Sequence, residues 1–420
     1  MKKKLSLIFF LACAATVYPQ NKLTLEECYQ RARKNYPLIK QKEYIAESKD
    51  YSVSNIWKGY FPQITISGQA TYQSDVTSLP ISFPGLTIES LTKEQYKAVA
   101  EITQTVFDGG VMSSQASIQR AATEIDDQKV EVEFLKVKER INQIYFGILL
   151  LHGQLIQTDL IKRDLNASLL KMNAALENGT TSRMNVDVLK SELLKVDQRE
   201  IELKSSRKSY VEMLGLLINL KLEETVMLEL PEDQTILDGE VLNRPELKLY
   251  SSQEKLIESQ NGLLLAKILP KANLFFQGGY GKPTLNMLEN EFDWYYTAGA
   301  RLTWQLSNFY TYGNENEITE LNKKIVETQK ETFLLNTDLL LNQQSSEINK
   351  LRKLIKVDEE IIKIRISVKD AAQSQLENGV ITSNDFIREL NAEDQAKQNL
   401  VIHKIQLLLA QHNHKLTLGN

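Results

Sequence analysis

Few side chains in this sequence could do chemistry, and their spacing argues against it. There are four histidines, His152, His403, His412 and His414, the last two at a C-terminal end expected to fray. They form no Cys/His metal spacing, and no Gly-rich phosphate loop or Gly-x-Ser-x-Gly elbow occurs. Acid pairs such as Asp126-Asp127 and Glu359-Glu360 could act as general acid and base in a cleft, but they fall in segments dense with charge and read as solvated helix faces. Asp385 and Arg388 stand three residues apart, a spacing that pairs charges along a helix for about 0.2–0.5 kcal/mol. This is not the pattern of an enzyme, and neither metal nor cofactor is expected.

The elements that carry these residues are announced by what is missing. Only 18 glycines and 9 prolines occur in 420 residues, and no proline lies in 85–230 or 284–420. Proline breaks helix interiors, so these stretches read as very long helices. The 50 basic and 54 acidic residues leave a net charge of −4, which does not suit a nucleic-acid surface. At the N-terminus, Lys2, Lys3 and Lys4 precede the apolar run Leu5–Ala12, the pattern of a signal peptide over 1–20 that is cut near Ala15 or Gln20. Phe10-Leu11-Ala12-Cys13 loosely resembles a lipobox, which would make Cys13 a lipidated N-terminus. Otherwise Cys28 is the one mature cysteine, and no internal disulfide can form. No later segment has 18 consecutive apolar residues, so no transmembrane helix is expected. An exported chain of this kind is secreted, periplasmic, or held in an outer membrane by β-strands.

Three landmarks recur in order. Leu176-Glu177-Asn178-Gly179 returns as Leu376-Glu377-Asn378-Gly379, and Gln104–Asp108 falls on Trp304–Asn308 at the same offset of 200. Phe61-Pro62-Gln63 falls on Leu269-Pro270-Lys271. A duplicated plan follows, with repeats at 21–229 and 245–420 joined by a linker over 230–244. In each repeat a helix (Thr24 to Tyr60; Pro245 to Leu269) enters a strand through a proline. A loop, a second strand and a long helix follow, and the long helix reverses at its glycine into a return helix.

After Pro62, Gln63, Thr65, Ser67, Gln69, Thr71 and Gln73 alternate with Ile64, Ile66, Gly68, Ala70 and Tyr72. In the fourth strand Thr297, Gly299, Arg301, Thr303 and Gln305 alternate with Ala298, Ala300, Leu302, Trp304 and Leu306; in the second, Ala98, Ala100, Ile102 and Val106 share the apolar face. The period of two fits strands with one apolar and one watery face. Tyr72, Trp294, Tyr295, Tyr296 and Trp304 stand at strand ends, where aromatic girdles meet bilayer interfaces. Four strands cannot close a barrel, and lipid tolerates no unpaired edge, so several chains must share one. The long helices carry a heptad seam, Val130, Phe134, Val137, Ile141, Ile144, Ile148, Leu151 and Leu155. From Gly110 to Glu177 is 68 residues, which spans about 100 Å as one helix. The two strand loops, near Val76–Thr92 and Gly281–Glu291, are expected to face the cell exterior.

These features together resemble the TolC family of outer-membrane efflux proteins. The residues that carry the likeness are Leu23–Cys28, Phe61-Pro62, Val106–Gly110, Asn243–Leu247, Leu269-Pro270 and the two tip glycines, Gly179 and Gly379. The resemblance implies a mainly α fold with a small β part: a homotrimer with a shared 12-stranded transmembrane barrel and a trimeric α-barrel of antiparallel coiled-coil hairpins. It implies passive export, by efflux or type I secretion, with a periplasmic adaptor and an inner-membrane transporter as partners. It also implies a pore constriction at the periplasmic tip, with an aspartate six residues after the second-repeat glycine and another three further on. Here these positions are Asp385 and Arg388, and the first-repeat counterpart is Asn185. Two positions that latch the closed tip in the family are Leu376 and Ile381 here, apolar instead of polar. A periplasmic coiled-coil adaptor or scaffold remains the alternative from sequence.

Overall fold

The computed structural model describes residues 22–77, 91–233, 241–287 and 289–419. The signal segment with Cys13, and most of the first strand loop, lie outside the described residues. The chain runs α1 (Leu25–Asn35), α2 (Lys40–Trp57), β1 (Gln63–Tyr72), β2 (Glu94–Phe107), α3 (Val111–Glu177), α4 (Arg183–Ile218), α5 (Pro245–Lys267), β3 (Lys271–Lys282), β4 (Asp293–Thr303), α6 (Asn308–Glu377) and α7 (Ser383–Leu418). The expected first helix is not continuous. Pro37 follows Tyr36, which takes extended backbone (ψ 127°), because a residue before proline is pushed out of the helical region. The chain restarts through a short 3-10 turn at Pro37–Ile39.

The residues form two compact units, each drawing on both halves of the chain. One comprises 1–36, 136–240 and 341–416. Its core contains Ile141, Tyr145 and Ile148 of α3, Leu214 and Ile218 of α4, and Ile348 and Leu351 of α6. Thr24 caps α1 with a reciprocal box: its hydroxyl accepts from the Glu27 N–H (3.1 Å), and the Glu27 carboxylate accepts from the Thr24 N–H (3.2 Å). The segment after α4 is pinned back by backbone bonds between Leu23 and both Met227 and Glu229 (each 3.1 Å). The Tyr145 hydroxyl sits between the carbonyls of Leu23 and Glu229, at 2.8 and 2.7 Å. His412 and His414 are packed within α7, not frayed: His412 lies 5.3 Å from the Phe146 ring, and His414 is buried. Burial lowers the His412 pKa and pushes the Cys28 thiol up to about 12, which leaves that cysteine inert at neutral pH.

The other unit comprises 37–135, 241–340 and 417–420 and contains the sheet. Four antiparallel strands pair in the order β1-β2-β3-β4, leaving β1 and β4 as edges. The second strand differs from expectation at its end. A register shift between Thr105 and Phe107 pairs Phe107 with Ala272 and makes Val106 the extra residue of a bulge. Phe107, not Val106, therefore continues the apolar face.

The turn from β2 into α3 is built on Asp108. Its Oδ1 accepts from the Gly110 N–H (2.8 Å) and the Tyr60 hydroxyl (2.9 Å), and its Oδ2 accepts from the Met112 N–H (2.7 Å). These bonds satisfy helix N–H groups that have no partner inside α3. Burial pushes the Asp108 pKa upward, but the three hydrogen bonds outweigh it, and the net shift is downward.

Of the eight residues in the heptad seam of α3, Val130, Phe134, Val137, Ile141, Ile144 and Ile148 are buried. Among the described residues α3 alone is long and apolar enough to cross a membrane by length and composition. In this structure 39% of its apolar window is buried, and Ile156 and Leu160 are exposed.

Candidate functional site

Two regions carry the features that sequence analysis singled out: the sheet and the helical reversals.

In the sheet, the register sorts every side chain to a face. Ile66 pairs with Ala100, which pairs with Gly278, which pairs with Tyr296. Around that row one face carries Ile64, Ile102, Leu274, Phe276 and Leu302, most of it exposed. A second row, Gln69 with Lys97, and a third, Glu101 with Gln277 and Thr297, mark the opposite, polar face. Tyr72, Trp294 and Tyr296 belong to the apolar face and are 72–76% exposed. Tyr295 does not join them. It pairs with Gly279 and points to the polar face, because neighbours in a strand alternate. Trp304 lies just beyond β4 and donates its indole N–H to the Ile268 carbonyl at 2.9 Å.

The register also gathers aromatics that sequence reading left scattered. Tyr280 lies 5.0 Å from Trp294 and 5.6 Å from Phe292, and Tyr96 lies 6.1 Å from Phe292. With Tyr72 they form one band at the loop end. Phe61, Phe107 and Trp304 are exposed at the helix end. Only strand pairing could have revealed this, since Tyr96 and Tyr280 are far apart in sequence.

At the reversals, Gly179 and Gly379 take φ +71° and +69°. Both close Schellman motifs: Gly179 N–H to Leu176 O (3.0 Å) with Thr180 N–H to Ala175 O (2.9 Å), and Gly379 N–H to Leu376 O (3.0 Å) with Val380 N–H to Gln375 O (2.8 Å). The two turns share one core. Val186, Leu189 and Phe386 cluster with Ile161, Leu165 and Leu390. Leu376 is buried in this cluster and Ile381 packs against it, which accounts for apolar residues at these two positions.

Asp385 caps its own helix. Its Oδ2 accepts from the Thr382 hydroxyl (2.7 Å) and the Thr382 N–H (3.2 Å), while the Asp385 N–H donates to Thr382 Oγ1 (3.3 Å). The Thr382 hydroxyl, then the Thr382 amide, hold the carboxyl below its usual range, with Arg388 adding little. Arg388 stands 3.8 Å from Asp385 but 3.1 Å from Glu389, so the expected i, i+3 pair is the looser of its two contacts. Asn185 is not a free polar residue: its amide donates to Thr181 Oγ1 (3.1 Å), and its carbonyl accepts from the Ser383 N–H (3.4 Å), linking the two reversals.

A lowered carboxylate pKa stabilises the fold above the unfolded value near 4 and is lost as pH falls through the folded value. We therefore expect protease cleavage at 378–385 to rise below about pH 4, and Asp385→Asn to remove most of that pH dependence. A pH profile of limited proteolysis that is identical in both proteins would contradict the capping role.

The chain thus combines a four-stranded sheet that has one exposed apolar face and one polar face with two helices more than 60 residues long. The model of the outer membrane efflux protein family matches residues 28–220. The fold is similar over 94% of this chain to three channels of known structure. VceC of Vibrio cholerae is 13% identical (TM-score 0.68, 96% of that chain), and CmeC of Campylobacter jejuni is 12% identical (0.68, 85%). The open state of MtrE of Neisseria gonorrhoeae is 12% identical (0.69, 89%). No curated protein matches the sequence. The chain is thus similar to the outer membrane efflux protein family in sequence over 28–220 and shares the fold of outer-membrane channels over nearly its whole length. The matched family and these structures are outer-membrane channels, which supports an outer-membrane exit duct.

Proposed function

We propose that three copies of this chain close one 12-stranded barrel in the outer membrane, β4 of one protomer pairing with β1 of the next. The observation that carries this is the pair of open edges on a sheet whose apolar face is exposed. Neither edge survives in lipid without a partner. Trp294, Tyr296, Tyr72 and Trp304 then lie at the bilayer interfaces, and the polar face lines a watery lumen. The repeats 21–229 and 245–420 are supported by their common order of elements: helix, two strands, long helix, return helix. The reversals at Gly179 and Gly379 form the narrow periplasmic end, with Asn185, Asp385 and Arg388 around the opening. That end receives a periplasmic adaptor and, through it, an inner-membrane transporter. Asp385 keeps its charge while capping α7, so three copies make the opening attractive to cations.

The mass in mild detergent is expected to be near three protomers, and carbonate washing should leave the protein in the membrane. A stable monomer that still inserts into bilayers would sink the proposal. Release by carbonate would instead favour the periplasmic adaptor or scaffold.

A further inference from the structure

The polar face of the sheet is uneven in charge. At its helix end, Lys271 pairs with Thr303, and Arg301 pairs with Asn273 one same-face step away. The Arg301 guanidinium stacks over the Phe275 ring, 4.9 Å from its centroid. Phe275 in turn lies against Gly299, where an added Cβ would stand only 3.0 Å from the ring. The cation is thus held flat along the wall by a ring face, its long chain denied free rotation. Among the described residues neither Lys271 nor Arg301 has an acidic partner. The acid on this face nearest in register is Glu101, paired with Gln277. Gln277 lies two residues up β3 from Phe275, and six from Lys271, a rise of about 20 Å.

We propose that Lys271 and Arg301 form a cationic collar on the lumen wall that concentrates anionic solutes at this end of the barrel. The inference rests on the trimeric barrel, which repeats each pair three times around one aqueous bore. Rings of basic side chains favour anions in pores, and a fixed charge acts within about a Debye length of the wall. Phe275 is a positioning residue, because it orients Arg301 and carries no charge of its own.

The test places a thiol between the two cations, Asn273→Cys, in a chain whose mature cysteine is buried and inert. In proteoliposomes the thiol is exposed to an anionic (sulfonate) and a cationic (ammonium) methanethiosulfonate reagent. The ratio of the two rates is expected to favour the anion, and to fall about fivefold or more when Lys271→Gln and Arg301→Gln are combined, the collar's field being removed. The preference should also shrink in 1 M salt, where the screening length is about 3 Å. Arg301→Lys should restore most of the ratio, and Phe275→Leu should lower it in part. An unchanged ratio in the double variant would overturn the collar while leaving the barrel intact. A thiol at Asn273→Cys that fails to react, beside one at Ala272→Cys that does, would reverse the faces and overturn the barrel reading itself.

Discussion

Truncating Phe386 to alanine is expected to destabilise the helical tip by about 3–5 kcal/mol. The ring is fully buried in the cluster of Leu165, Leu189 and Leu390, with Ile161 and Val186. Around it are two turns whose glycines are locked by their own backbone bonds and cannot move in to refill the space. The loss combines the transfer of an aromatic side chain with a cavity that stays open. Phe386→Leu, which keeps most of the volume, should cost less than about 1.5 kcal/mol. Denaturant melts followed by a probe at the tip, or proteolysis timed at the reversals, measure the difference. Equal stability of the two variants would mean that the tip core collapses freely.

The β2–α3 turn carries the second large effect. Gly109→Ala is expected to cost about 2–4 kcal/mol, from a positive φ and from overpacking. Its φ is +76°, and an added Cβ would stand 2.7 Å from the Ala266 carbonyl oxygen, which is backbone and cannot rotate away. Gly110, at φ +88°, has nothing within 4 Å, so Gly110→Ala should cost only about 1 kcal/mol for the backbone conformation. Thermal melts of the two variants in detergent should therefore separate, and matching melting temperatures would remove the steric argument.

The sequence revealed the elements whose signals are local. Proline spacing set the long helices, period two set the strands, and Asn-Gly at 178–179 and 378–379 set the reversals. Pro37 was readable as a break too, since the restriction on Tyr36 is a nearest-neighbour effect. The spacing Thr382-x-x-Asp385 has the form of a capping box, a local signal for the cap. What stayed hidden depends on partners far away in the chain. The bulge at Val106 exists only relative to β3, and the aromatic band needs Tyr280 beside Trp294. The Arg199 guanidinium meets Asp394 at 2.8 Å across 195 residues. Alternation alone could have separated Tyr295 from Trp294 and Tyr296, but clustering by residue type concealed it.

The apolar middle of α3 also matters before the protein has folded. Export carries the chain unfolded through a translocase that opens sideways to lipid, and there each segment is tested for its preference for the bilayer. A helix that passes this test by composition risks stopping in the inner membrane, short of its destination. Asn142 and Thr158, both buried in the finished protein, are among the polar residues that interrupt this stretch. In the folded unit the first accepts a hydrogen bond from Tyr29, and the second receives one from Arg199 (3.2 Å). Polar atoms that lower the hydropathy of the segment thus find partners in the folded chain where no water reaches.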